Sequence, residues 1–220
     1  MEFLDRAGNV ILVNALWLVC CLPVITFIPS CTAMYYAITK SVRHQTGYPV
    51  KEFFKSFKSN LLRGIPASLL VLLAAGLIYS NLKYGLGLES RRGLVIICTN
   101  VAAAIFMTGF ILYLPAALSR FSLALMKVCR LSFVMAFKHL PTTVMIFLSY
   151  SVCGIVIAAA AKTAVDEPDV SSASFFLLAL VLILPGAVTY LMVKPFERIL
   201  HEYMPAPKEG EEMWYDEKLD

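Results

Sequence analysis

The chain has 220 residues, of which 59% are hydrophobic and only 15% charged, against roughly 25% charged in an average soluble domain. A soluble protein of this size buries one core and cannot also hide several long runs without any charge, so the bulk solvent for most of the chain is lipid. The net charge of +4 conceals a split: eight of the 15 acidic residues follow Val193 and the remainder is clearly basic, yet no nucleic-acid motif accompanies the basic residues. They cluster between apolar runs, where anionic headgroups are the fitting partner.

In chain order, five stretches lack Asp, Glu, Lys and Arg for long enough to span a membrane, which takes roughly 20 residues at 1.5 Å rise each. These predict an all-α polytopic bundle with spans at about 10–29, 64–82, 94–118, 140–161 and 171–193, in one domain covering 1–204. The first run, residues 7–39, is too long for one straight helix, and Pro23 and Pro29 interrupt it. Each proline removes a donor and opposes a continuous helix, so the pair is read as an architectural break that lets 33–39 leave at an angle. Carbonyls freed at that depth need partners; Thr26, Ser30 and Thr32 are the local candidates. Pro185, in Leu184-Pro185-Gly186, interrupts the fifth run in a comparable way.

Two linkers read as ordered. In the first, Val50, Phe53, Phe54, Phe57 and Leu61 share one helical face while Lys51, Lys55 and Lys58 lie off it. This predicts an interfacial helix over about 50–62, with Phe53, Phe54 and Phe57 in lipid and Lys55 and Lys58 among headgroups; packing on the ends of the spans is the compatible alternative. The second, about 119–138, carries Arg120, Lys127, Arg130 and Lys138 on one wet stripe and reads as a second interfacial helix or a bent extension of the third span. A sixth span there would place Lys127 and Arg130 near mid-bilayer, at about 2.5–3.5 kcal/mol each. Pro66 and Pro141 fit span starts, Pro195 fits a helix exit, and 205–220 reads as an acidic cytoplasmic tail.

In the five-span arrangement one side carries fourteen Lys and Arg and the other five. The positive-inside rule then predicts a cell-membrane protein with the N-terminus outside and the C-terminus in the cytoplasm.

Catalytic signatures are missing: no H-E-x-x-H helix, no G-x-S-x-G elbow and no P-loop lysine. The six cysteines form no C-x-x-C pair, and His44, His139 and His201 are far apart near predicted membrane boundaries, so no catalytic, metal or cofactor residue is expected. None of the five runs contains an Asp, Glu, Lys or Arg of the kind that coupled carriers keep inside the membrane.

The segment 14–26, Asn-Ala-Leu-Trp-Leu-Val-Cys-Cys-Leu-Pro-Val-Ile-Thr, followed by Pro29 and Ala33-Met34-Tyr35-Tyr36, resembles the signature of the YesL-like bacterial membrane proteins. The resemblance continues through Gly47-Tyr48, residues 53–57, Tyr113-Leu114-Pro115 and His139-Leu140-Pro141. It implies a small multi-pass protein of a family without assigned activity, thought of alongside carbohydrate import and its regulation, and it transfers no functional residue. The expected function is therefore a non-enzymatic accessory or interaction protein, with membrane lipids and a transporter or other membrane protein as partners. A small permease using the broken first and fifth spans is the alternative. A wet cavity lined by Thr26, Asn100 and Thr189 would favour the permease; a dry bundle would favour the accessory role.

Overall fold

A computed structural model describes residues 2–43, 47–88, 91–121, 123–166 and 170–204. These form seven α-helices and no strand: α1 (Glu2–Cys21), α2 (Phe27–Ala37), α3 (Pro49–Leu86), α4 (Arg91–Arg120), α5 (Leu125–Lys138), α6 (Leu140–Asp166) and α7 (Val170–Tyr203). A 3-10 turn, Val24–Thr26, joins α1 to α2, and a π-helical turn, Ile38–Arg43, extends α2. The helices α3, α4, α6 and α7 are long and apolar enough to cross a membrane. The tail 205–220 lies outside the described residues.

The first apolar run is not a single span over 10–29. Helix α1 stops at Cys21 because Pro23 follows, and Thr26 N–H closes the turn on Pro23 O at 2.9 Å. The C=O of Cys20, left open by the stop, accepts the hydroxyls of Thr26 (2.6 Å) and Ser30 (3.0 Å). Thr32 instead bonds within its own helix, to Ile28 O at 2.8 Å. Pro29 breaks nothing: it is the third residue of α2, where no intrahelical donor is lost. The neighbouring N–H of Ile28 donates to Ser68 Oγ on α3 at 3.0 Å.

Helix α1 then runs back along α2. It touches the π-helical turn as well as α2, α3 and α7. That turn begins seven residues beyond Cys31, about 10 Å farther from the connection, so only an antiparallel α1 reaches it. Trp17 Nε1 donates to Cys31 Sγ at 3.4 Å across the same hairpin. The apolar tip, Leu22, Val24 and Ile25, is exposed. Helix α2 becomes the central element, with Ile28, Ser30, Thr32, Ala33, Ala37 and Ile38 all fully buried.

Helix α3 pairs antiparallel with α2, from Ser68 opposite Ile28 to Glu52 opposite Lys40 at 3.0 Å. Its buried stripe is small and polar: Ser56, Asn60, Gly64, Ala67 and Ser68. Such residues let backbones approach closely in lipid, and a Cβ at Gly64 would collide with the Pro29 ring. Residues 50–62 are not a separate helix. They are the first turns of one 38-residue helix that passes through Pro66, about 57 Å long and far beyond a 30 Å core. Phe53 is turned inward and fully buried, and Phe57 is half-buried. Phe54, Lys55 and Lys58 remain exposed. The face read as lipid-seeking is partly spent on packing the inner helix.

The linker 119–138 also differs from expectation. Helix α4 ends at Arg120 and the 14-residue α5 starts at Leu125, too short to span. Helix α5 folds back on α4, with Phe106 stacked on Phe133 (6.3 Å between centroids) and packed on Phe137 (5.1 Å). The interruption takes Arg120 off the stripe of Lys127, Arg130 and Lys138 and turns it inward.

Neither Pro185 nor Pro195 ends or breaks α7. A proline at 185 frees the C=O of Val181, four residues back. Asn14 Nδ2 on α1 donates to Val181 O at 2.9 Å and to Leu182 O at 2.8 Å. Gly186 makes this approach possible, since a Cβ there would lie 2.9 Å from Val10 Cγ1 and 3.1 Å from Asn14 Cβ.

Replacing Asn14 by Leu should cost about 1–3 kcal/mol, the penalty for an unsatisfied buried carbonyl. In a Pro185→Ala background, where residue 185 again donates to Val181 O, the cost should shrink by at least half. Thermal unfolding of the four proteins of this cycle in detergent measures the coupling; equal costs in both backgrounds would show that Asn14 does not serve the proline.

Candidate functional site

The polar centre of the bundle lies where α2, α4 and α7 meet. Tyr35 comes from the last turns of α2, Arg120 from the end of α4, and Glu197 from the turn of α7 after Pro195. Arg120 Nη2 stands 2.7 Å from Glu197 Oε1, and Arg120 Nε donates to the same oxygen at 3.2 Å. The Tyr35 hydroxyl also donates to Oε1. The side chains of Arg120 and Glu197 are 3% and 1% exposed. Burial of this degree is tolerated because the charges are opposite and two hydrogen bonds, from Arg120 Nε and Tyr35 OH, converge on one oxygen. The other oxygen, Oε2, is buried without a protein hydrogen-bond partner among the described residues.

Aromatic rings hold the trio in place. Phe196 makes edge-to-face contacts with Tyr35 (5.7 Å) and with Tyr113 (5.4 Å). Tyr113 OH reaches Thr143 Oγ1 on α6 at 3.0 Å. Four helices are thereby fixed around one carboxylate.

Tyr35 and Phe196 also line a cavity of about 250 Å³ that extends to Trp17, Cys31, Tyr150 and Thr189. Its polar groups are committed to one another. Thr189 Oγ1 donates to Pro185 O at 2.8 Å and meets Tyr150 OH at 3.2 Å, while Cys31 takes the Trp17 N–H. The remaining wall is apolar: Phe27, Met34, Ile111, Leu112, Pro115 and Ala116.

The residues singled out in sequence do not gather here. Pro185 lines the cavity, but Thr26 caps Cys20 at the hairpin tip, and Pro29 lies against Gly64. Asn100 donates to Ile96 O on its own helix at 2.8 Å, so Thr26, Asn100 and Thr189 do not share a site. Phe53 packs with Phe54 and Phe57 on α3, and Lys55 and Lys58 point outward.

Sequence reading missed Glu197 and Arg120. Glu197 was one of eight acids after Val193, and Arg120 one of four cations in a linker. The available signal was the phase of α7. Val193, Phe196, Glu197 and Leu200 share one helical face at i, i+3, i+4 and i+7, which puts a carboxylate on an apolar face in need of a cation.

Two further ion pairs flank the trio. Lys40 sits 3.0 Å from Glu52 and 5.6 Å from the Tyr36 ring; burial pulls its ammonium pKa down, but Glu52 and Tyr36 together hold it above the usual lysine value. Glu202 binds Lys138 and lies 3.0 Å from His139 Nε2. His201 is half-buried and His44 lies outside the described residues. No group of three or more His, Cys, Asp or Glu able to hold a metal occurs among the described residues.

Removing one partner of a buried pair strands the other charge, at about 3–5 kcal/mol. Glu197→Leu and Arg120→Met should each lower the unfolding midpoint sharply, and the double variant should recover most of the loss. Thermal or SDS titration reads this out; additive losses would mean that the two side chains act independently.

A family model described as "Protein of unknown function, DUF624" matches residues 10–82. The matched region covers most of α1, the turn at Pro23, α2 and α3 up to Leu82, that is, the hairpin and the first long span. Tyr35 falls within it, whereas Arg120 and Glu197 lie outside. No curated protein and no solved structure matches the chain.

Proposed function

We propose that this integral membrane protein is a non-enzymatic accessory protein that acts by binding another membrane component. The observation that carries this reading is the state of its buried polar groups. Asn14, Thr26, Ser30, Ser68 and Thr189 all bond backbone groups of the bundle itself. Arg120 and Tyr35 neutralise and cap Glu197. Polar chemistry spent in this way stabilises a scaffold, although Glu197 Oε2 and Asn14 Oδ1 stay without a hydrogen-bond partner among the described residues. The resemblance to the YesL-like proteins adds a link to carbohydrate uptake or its regulation. The permease reading is weakened because the cavity wall beside Thr189 is mostly apolar and Thr26 and Asn100 lie elsewhere.

The proposed topology has four spans, α3, α4, α6 and α7, and a re-entrant hairpin made by α1 and α2. Helix α1 runs antiparallel to α2, so its start lies on the same side as Lys40 and Tyr203, in the cytoplasm. This replaces the expectation of an N-terminus outside. The charge distribution supports the change: transferring Arg6 turns a division of fourteen to five into fifteen to four, in closer accord with the positive-inside rule. A hairpin tip with Leu22, Val24 and Ile25 exposed, and its one hydroxyl, Thr26, bonded back to the chain, suits lipid and not water.

Reporter fusions at both ends provide the topology test. A cytoplasm-active fluorescent reporter should light up at either terminus, and a reporter active only outside should be silent at both. External activity at the N-terminus would restore the five-span arrangement. For the function, photocrosslinking from exposed positions on α3 and α6 in living cells should trap a discrete membrane protein. Sugar flux into vesicles reconstituted with this chain alone would refute the accessory role.

A further inference from the structure

Helices α4, α5 and α6 enclose a second space, an open groove of about 350 Å³ on the outside of the bundle. Its walls include Ile105, Phe106, Phe137, Leu140, Val144 and Phe147, all of them substantially exposed. The two hydroxyls in the wall are already used: Thr108 donates to Ala104 O at 2.8 Å and Thr143 to Ala136 O at 2.9 Å. A polar ligand would find no free donor there.

We infer that this groove is a binding site for one acyl chain of an anionic phospholipid, whose phosphate is held by Lys127 and Arg130. The groove is open along one side and apolar on its walls, so a hydrocarbon chain can lie along it without leaving a polar group unpaired.

Charge selects the headgroup. Helix α5 contains no acidic residue. Glu202 engages Lys138 at its C-terminal end, while Lys127 and Arg130 are exposed and make no ion pair among the described residues. Arg130, Phe133 and Phe137 lie on one face of α5 at i, i+3 and i+7. The cation thus stands in line with the rings that lead into the groove through the Phe106 stack. On the topology proposed above, α5 lies at the cytoplasmic leaflet, where anionic lipid concentrates and attracts basic side chains.

The test uses the full chain, purified in mild detergent and equilibrated with mixed phosphatidylglycerol and phosphatidylcholine, with retained lipid read by native mass spectrometry. The expected result is one phosphatidylglycerol retained per chain in preference to phosphatidylcholine. Val144→Trp and Ile105→Trp, which fill the groove from opposite walls, should each cut retention at least fivefold. Leu73→Trp, on an exposed face of α3, should not. Lys127→Gln with Arg130→Gln should abolish the preference for the anionic headgroup while some lipid is still retained. Unchanged retention in both groove variants, at wild-type melting temperature, would overturn the inference. So would a disulfide-linked dimer formed efficiently by Val144→Cys, which would assign the groove to a second copy. Retention in detergent does not depend on sidedness, so a failed topology test and a failed lipid site give different results.

Discussion

The C=O of Cys20 has to find a donor inside an apolar protein, and the path of the N-terminal third follows from how it does so. Pro23 removes the continuing helix that would have supplied one. Thr26 and Ser30 supply two hydroxyls instead, and they can do so only if the chain turns at once and α2 starts beside the end of α1. An unsatisfied carbonyl in this environment costs about 1–3 kcal/mol, enough to select the hairpin over a frayed end. The hairpin places α2 in the centre, where α1, α3, α4 and α7 all contact it.

The same accounting recurs at the opposite end of the sequence. Pro185 opens a carbonyl in α7, and Asn14 of the hairpin closes it. Gly186 and Gly64 remove the side-chain bulk that would keep α7 from α1 and α3 from α2. Hydrophobic attraction between helices is weak in lipid, so close backbone approach and repaired hydrogen bonds replace it as the source of cohesion. Glu197, Arg120 and Tyr35 complete the picture at the junction of α2, α4 and α7. The ion pair adds little net stability over an apolar alternative, but removing either half is costly, and it fixes which faces of the three helices meet.

The outer surface follows a different rule. Exposed Leu, Val, Ile and Phe on α3, α4, α6 and α7 are ordinary for faces turned to lipid. The groove between α4 and α6 stands apart because Ala136 and Phe137 of α5 close one side of it.

Runs free of charge marked five segments as membrane-crossing, and four of them are helices long and apolar enough to cross, because hydrocarbon solvation acts on each segment by itself. The stop at Pro23 and its hydroxyl partners Thr26 and Ser30 were legible for the same local reason. Whether the prolines at 29, 185 and 195 broke helices was not. The outcome turned on Ser68, Asn14 and the surrounding packing, each distant in sequence. The helix over 50–62 was visible, but its fusion to the first long span and the inward turn of Phe53 required α2 as a partner. Glu197 and Arg120 read as surface charge until tertiary structure brought them within 2.7 Å. The direction of α1 was beyond the sequence as well, since a turn of five residues permits either continuation or reversal. Sequence determined which segments prefer lipid; tertiary structure decided which buried polar groups pair, because that depends on helix phase and approach across more than 160 residues.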